Sequence, residues 1–473
     1  MNRSMVLAAV LGAVCVGPVS PAENPNVLLI SIDDLNDWVG CLGGHPQAKT
    51  PNIDRLARRG TLFVNAHCQS PVCNPSRVSM LTGRYPHSTG VYFLSPDLKA
   101  APALNGVLTL PEVFAATGYK TMAVGKIFHR GDRRFFQQYG GSNGGFGPRP
   151  KTKISQPHGH PLWDWGAFPE SDAMMPDKMA ADWAIAKLKQ EHDRPFLLGV
   201  GFYRPHVPMF VPQKWFAMHP RDLVKLPLVR ADDRSDLSQY AIDLTNLKHV
   251  SPTHQWVKSA GQWEHAVQSY LASVTFADYC VGRVLDALDT GSYANNTIVV
   301  LFSDHGFHLG EKQRWAKRSL WEDGTRVPLI VSAPGFAGDR RSNRPVELID
   351  VLPTLRELTG LDADSKQEGQ SLVPLMKNPS AVWDHPAITS FGPGNYSVRS
   401  TRYRFIQYAD GSRELYDHQK DPHEWNNRVR NSDYKDVLTE HAALVPRAEH
   451  DLLPGNSTGH NAYAASNERA KIQ

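Results

Sequence analysis

The sequence predicts an α/β fold: a large, mainly parallel sheet sandwiched between helices, with a smaller C-terminal α+β subdomain containing an antiparallel sheet. Three observations carry that expectation. Four short apolar runs, at 26–32, 120–124, 196–202 and 297–303, are continuous rather than alternating, as strands buried on both faces are. Helical patterns at 52–59, 110–117, 174–190 and 270–288 alternate with them, the order of a parallel sheet covered on both sides. After Gly360 the character changes, and 403–408 and 414–416 flank Asp410-Gly411 as two strands flank a hairpin turn.

Along the chain, the first informative segment is the N-terminus. Arg3 precedes an apolar run over 5–16, then Gly17 and Pro18, with small Ser20 and Ala22 before Glu23. Charge, a short apolar stretch and a small-residue exit form a signal-peptide pattern over residues 1–22. The run is too short to span a bilayer, and no other stretch approaches spanning length. A secreted or periplasmic protein with no membrane span is expected. Beyond it, the chain divides into a catalytic domain over 23–383, a smaller subdomain over 384–455 and a polar tail over 456–473. The 473 residues, 41% hydrophobic and 21% charged, suffice for a large core and a second unit. The net charge of +4 is spread along the chain, which suits an anionic substrate or an ordinary solvated surface and predicts no nucleic-acid partner.

Each of the four strands runs into polar residues. The first ends in Asp33-Asp34, the second in Gly125-Lys126 and then His129, the third in Arg204-Pro205-His206, and the fourth in Asp304-His305. Ligand sites of open α/β sheets lie at the carboxyl ends of strands, so four agreeing endings predict one active site. An acidic pair alone is more often a turn or a helix cap. With Asp304 beside it, the pair offers the several oxygens that a hard cation wants. Lys126 and His206 directly follow buried strands, which separates them from a solvated lysine or a structural histidine.

The sharpest motif is Cys73-Asn74-Pro75-Ser76-Arg77, leading into Thr82-Gly83-Arg84. Asn74 reads as a helix N-cap and Pro75 as a first helical residue, which puts Cys73 at a helix N-terminus. Backbone N–H groups and the helix dipole favour an anion there, and Arg77 adds a fixed positive charge. Read by itself, this is an activated cysteine facing an anionic substrate. Without the leader the chain keeps Cys41, Cys68, Cys73 and Cys280, too few for a disulfide scaffold. A Cys68–Cys73 bridge is the plain alternative for that pair.

These residues resemble the formylglycine sulfatases of the alkaline phosphatase superfamily, whose signature joins Cys-x-Pro-Ser-Arg to Thr-Gly-Arg. Within that family the resemblance is to the iduronate-2-sulfatases, through NVLLISIDDLNDWVGCLGG, GYKTMAVGKIFH, RPHVP, SDHGFHLGE, WAK and RVPLIV. It runs from Asn26 to Val331. It implies a sulfuric ester hydrolase acting on a sulfated carbohydrate, with Cys73 converted to formylglycine by a formylglycine-generating enzyme. It also implies one calcium ion surrounded by Asp33, Asp34, Asp304, His305 and an oxygen of the modified Cys73. One hydroxyl of the hydrated aldehyde attacks sulfur, and the other later expels sulfate. By the same resemblance Arg77 stabilises developing charge, and Lys126 and Lys317 hold the sulfate oxygens. His129 takes a proton from the hydrate, and His206 gives one to the leaving oxygen.

Two other readings stand beside this one. A phosphonate or phosphate ester hydrolase of the same superfamily shares the nucleophile motif. An exported glycan-binding protein whose cysteine is never converted is the non-catalytic alternative. Two irregular stretches, 131–169 and 221–263, read equally as substrate walls or surface connections. His158, His160, Trp163 and Trp165 fit a sugar-stacking wall or a packed loop alike. His308 is read as packing. The natural substrate, its linkage and the oligomeric state are left open.

Overall fold

A computed structural model describes residues 24–246 and 250–453. The expected signal peptide and polar tail lie outside the described residues. The four apolar runs are strands of one eight-stranded sheet. In chain order the strands are β1 (Asn26–Ile32), β2 (Thr61–Phe63), β3 (Lys120–Gly125), β4 (Gln138–Tyr139), β5 (Phe196–Phe202), β6 (Thr297–Ser303), β7 (Leu329–Ser332) and β8 (Arg340–Ser342). In space they run β8-β2-β7-β6-β1-β5-β3-β4. The stretch from β6 to β4 is parallel, while β7 lies antiparallel to both neighbours.

β1, β5 and β6 are buried at every residue, because helices cover both faces of the sheet. These helices are α1 (Pro51–Arg59), α2 (Cys73–Thr82), α3 (Leu110–Ala116), α4 (Pro176–Leu188), α5 (Trp263–Asp289) and α6 (Val351–Leu358). Strand side chains alternate between faces. Leu28, Ile30 and Ile32 pack with Ile53 of α1, Ala184 of α4 and Leu271 of α5. Val27 and Leu29 join the opposite core, with Leu81 of α2, Phe114 of α3 and Leu352 of α6. Truncating one of these buried strand residues to Ala costs about 2–5 kcal/mol.

The strands end level with one another. Ile32 pairs with Phe202 on one side and Ser303 on the other, so Asp33 and Asp304 leave the sheet side by side. On β3, Gly125 pairs with Gly201. Gly125 has φ +76, and a Cβ there would stand 1.9 Å from the Gly201 carbonyl oxygen. Glycine at both positions lets the chain turn closely over β5 and deliver Lys126 to the same edge.

The second sheet is antiparallel, with β9 (Ala387–Ser390), β10 (Tyr396–Arg399), β11 (Tyr403–Gln407) and β12 (Arg413–Asp417) in sequence order. α7 (Lys435–Ala443) covers it, with Val437 and Leu438 against Val398, Phe405 and Leu415. The observed architecture is the expected one: helices around a large, mainly parallel sheet, and a separate antiparallel sheet. The stretch 221–263 is less irregular than its composition suggests. It holds short helices at Gln239–Thr245 and His254–Ser259, capped by the Ser238 and Thr253 hydroxyls. No helix among the described residues is long and apolar enough to cross a membrane.

Candidate active site

The polar residues at the four strand ends converge. Asp304 N–H donates to the Ile32 carbonyl at 3.3 Å, and Asp34 N–H to Asp304 Oδ1 at 3.1 Å. Asp33, Asp34 and Asp304 are fully buried. Arg77, 1% exposed, binds two of them: Nε donates to Asp304 Oδ2 at 2.9 Å, and Nη2 to Asp33 Oδ1 at 3.4 Å. Its Nη1 donates to Ser31 Oγ and to the carbonyls of Lys126 and Ile127. Arg77 therefore acts as a clamp on the carboxylates from behind. Lys126 Nζ meets Asp33 Oδ2 at 2.5 Å, and Lys317 Nζ meets Asp34 Oδ1 at 2.6 Å.

Cys73 opens α2, with Val72 as its N-cap residue in extended conformation. The expectation that Asn74 caps this helix is not met. Its side-chain amide donates instead to the carbonyls of Phe93 and Pro96, at 2.8 and 3.1 Å, and fixes the following loop. Pro75 consequently sits two residues inside the helix, where its missing N–H still costs no helical bond. The expected anion-favouring position of Cys73 at the helix N-terminus is kept. Its Sγ lies 3.2 Å from both Lys317 Nζ and His305 Nε2. Burial raises the thiol pKa, but Lys126, Lys317 and His305 outweigh it and hold Cys73 well below the usual range. Cys41, Cys68, Cys73 and Cys280 are free thiols, so the Cys68–Cys73 bridge does not form.

The donor set fits a divalent cation. Ligand atoms of Asp33, Asp34, Cys73 and His206 lie within 4.8 Å of one another, as do those of Asp33, Cys73, Asp304 and His305. Asp34 Oδ2 is buried with no hydrogen-bond partner among the described residues. Three carboxylates offer the hard oxygens that calcium or magnesium takes. His305 Nδ1 donates to the Gly306 carbonyl at 3.0 Å, which leaves Nε2 facing Asp34 and Asp304. Burial keeps Asp304 up, at about 6, against the pull of Arg77.

His206 Nδ1 donates to the Val207 carbonyl at 2.5 Å, so its Nε2 turns inward, 3.7 Å from Asp34 Oδ2. The ring stacks on Phe146, centroids 4.5 Å apart. His129 interacts with Cys73, while its buried Nδ1 meets no partner among the described residues. Asp34, Cys73, Lys126, His129, His206 and Lys317 all open onto one cavity of about 590 Å³. A larger cavity of about 730 Å³, lined by Asp37, Glu311, Asp323 and Arg326, contains none of these groups. Size alone misleads here. The convergent strand-end groups line the smaller one.

The stretch 131–169 supplies a wall of this cavity through Phe146, His160, Leu162 and Trp163. The aromatic expectation divides. Trp163 lines the cavity but packs on Phe307, Trp165 is fully buried, and His158 stacks edge-on against Trp256. His308 is a packed residue whose Nε2 bonds Ser319 Oγ at 2.6 Å. Sequence reasoning missed Phe146 and Arg318. Phe146 stands in a glycine-rich run, and Arg318 is marked only by adjacency to Lys317.

A family model described as Sulfatase matches residues 25–361, and one described as N-sulphoglucosamine sulphohydrolase, C-terminal, matches 310–449. The chain is 40% identical over 441 residues to a sulfatase of Formosa agariphila, covering 90% of this chain and 87% of the relative. It is 34% identical over 410 residues to the iduronate 2-sulfatase of Homo sapiens, covering 75% and 74%. The solved structure of a 2-O GAG sulfatase shares the fold, with TM-score 0.69 over 95% of this chain and 94% of that one, at 23% identity.

Proposed function

The chain belongs to the sulfatase family and is a hydrolase of sulfate esters, and we propose that it desulfates a carbohydrate in the manner of the iduronate-2-sulfatases. The finer proposal is a formylglycine made from Cys73, one calcium ion, and action outside the cytoplasm after removal of residues 1–22. The observation that carries it is the setting of Cys73: a buried helix N-terminus, with Lys317 and His305 each 3.2 Å from Sγ. That is a cradle for a tetrahedral oxyanion.

Converted to formylglycine, residue 73 supplies a hydrated aldehyde whose two hydroxyls serve attack and release. Its Sγ marks where the attacking oxygen stands. Asp33, Asp34, Asp304 and His305 would hold the calcium, which would supply Lewis-acid stabilisation of negative charge. Lys126 and Lys317 bind the sulfate oxygens as point charges. Arg77 keeps Asp33 and Asp304 in place and adds a buried positive charge beneath them. His129 takes the proton that the second hydroxyl loses when sulfate leaves. His206, with Nδ1–H fixed on Val207, presents Nε2 to give a proton to the departing sugar oxygen.

Two measurements test this. Co-expression with a formylglycine-generating enzyme lowers the intact mass by about 18 Da, as CHO replaces CH₂SH. The converted protein then releases sulfate from members of a panel of sulfated oligosaccharides. A converted protein that cleaves aryl phosphates and leaves every sulfate ester intact would overturn the reading in favour of the phosphate or phosphonate alternative.

A further inference from the structure

We propose that His308, Glu311 and Asp323 form a second divalent-metal site, separate from the strand-end cluster, which takes a first-row transition ion such as zinc and ties down the loop that carries Lys317. Ligand atoms of the three side chains lie within 4.8 Å of one another. Glu311 and Asp323 line the cavity of about 730 Å³, not the one that Cys73 opens onto.

Two carboxylates side by side identify no site. The imidazole beside them does. His308 is fully buried, and its Nδ1 has no hydrogen-bond partner among the described residues. The Glu311 backbone acts on the ring but forms no hydrogen bond with that atom. Nδ1 stands 3.7 Å from Asp323 Oδ2. In the tautomer that donates Nε2–H to Ser319 Oγ, at 2.6 Å, Nδ1 presents a lone pair to the carboxylate. Two lone pairs face each other only at a cost unless a proton or a cation stands between them. Burial, and then Arg314, hold the ring down to about 3, so near neutral pH it carries no second proton. Neutral imidazole is the form that binds a metal.

The charges around the site ask for a cation as well. Nearby basic groups are committed elsewhere: Arg326 to Asp37 at 3.0 Å, Lys312 to Asp233 at 2.7 Å, and Arg399 and Arg404 to Glu322. Burial and the neighbouring Asp37 push Glu311 up to about 7, and burial with Glu311 and Asp37 pushes Asp323 well above the usual range. A bound cation relieves this crowding. One imidazole nitrogen and two carboxylates suit zinc, with the cavity side left for water. Zinc ligands about 2.0–2.2 Å from the ion stand about 3.4 Å apart in a tetrahedron, so the observed 3.7 Å needs little movement. Ser319 on Nε2 is the outer partner that orients a metal-binding histidine. The three ligands also bracket a loop. His308–Leu309 pairs antiparallel with Trp315–Ala316, and the turn between them is strained, with φ +52 at both Lys312 and Gln313. Lys317 leaves this loop for Asp34 and Cys73, and Asp323 follows it. An ion shared by 308, 311 and 323 joins both ends of that segment.

The test uses full-length Cys73→Ala protein in excess calcium, which removes the competing thiol and supplies the strand-end cluster with its own ion. It needs no turnover, so its outcome is independent of the sulfatase reading. Equilibrium dialysis against zinc, followed by metal analysis, is expected to give one tightly held zinc per chain. Adding His308→Gln or Asp323→Ala should weaken that binding about tenfold or more. Anomalous scattering at the zinc edge should place the ion between the three side chains. Hydrogen exchange over 310–318 should slow when zinc binds, and stay unchanged by zinc in Asp323→Ala. Asp323 opens onto the cavity, so this variant keeps the test decisive even if His308→Gln fails to fold. No bound zinc, or binding unchanged in Asp323→Ala, would overturn the site. Zinc that binds there without slowing exchange would overturn its hold on the loop.

Discussion

Two regions of this molecule bury carboxylates, a histidine and basic side chains together and line cavities, and they differ in how completely their charges are paired. Where the antiparallel sheet meets the loop after Lys317, Glu322 receives Arg404 and, at 3.1 Å, Arg399. Glu424 stands 2.7 Å from Arg404 Nε and 3.0 Å from His418 Nε2. Each of these charges has its opposite. Around Cys73 the pairing is incomplete: Asp34 Oδ2 has no hydrogen-bond partner and Arg318 has no paired carboxylate among the described residues. Buried charge by itself identifies nothing. What the protein leaves unpaired points to what binds.

The comparison breaks most visibly at the proposed nucleophile. Cys73→Ala is expected to lower desulfation about 10⁴-fold or more, roughly 5.5 kcal/mol of barrier, with little change in melting temperature. Rates and thermal melts of the same preparation check both halves. A comparable fall in stability would mean that the thiol is a packing element. Next in size is the balanced network. Arg404→Met leaves Glu322 and Glu424 buried beside too little positive charge, and is expected to cost about 3–5 kcal/mol of stability. Denaturant titration reads this directly, and a loss below about 1 kcal/mol would show that water reaches the pair.

Calcium removal is expected to act on one region only. The calcium proposed for Asp33, Asp34 and Asp304 would stabilise the folded chain by about 2.7 kcal/mol at a hundredfold excess over Kd. Chelation should therefore lower the melting temperature and abolish turnover, with both restored by calcium. Asp34→Asn should remove the calcium response, while Glu322→Gln should keep it. A chain indifferent to chelator would contradict the proposed ion. The Glu322–Glu424 group has geometry compatible with a metal but already has its counter-charges.

Much of this was legible in the sequence for a physical reason. β1, β3, β5 and β6 are buried on both faces, so their hydrophobic runs are unbroken and their polar endings stand out. Lys317 rested on a short motif, and the fold brings it to Cys73 across 244 residues. Asn74 illustrates the opposite case. Its local propensity favoured a cap, but two carbonyls far along the loop claim its amide. Arg404 lies 82 residues from Glu322, and nothing local announces that pairing. Arg318, next to a lysine in a polar run, reads as solvated surface until burial and lack of partners are measured.

The smallest effect is the sharpest discriminator, because its sign is opposite to intuition. Replacing a buried arginine normally destabilises, as Arg404→Met should. Arg318→Met removes a cation that no carboxylate pairs with directly among the described residues, and methionine fills comparable volume with apolar atoms. The variant should be as stable as wild type or more so, by up to about 1 kcal/mol, in the absence of substrate. Denaturant curves of the two arginine variants, run side by side, make the contrast. A loss from Arg318→Met as large as that from Arg404→Met would place Arg318 among the structural ion pairs. Equal or higher stability means that the fold keeps this charge at its own expense.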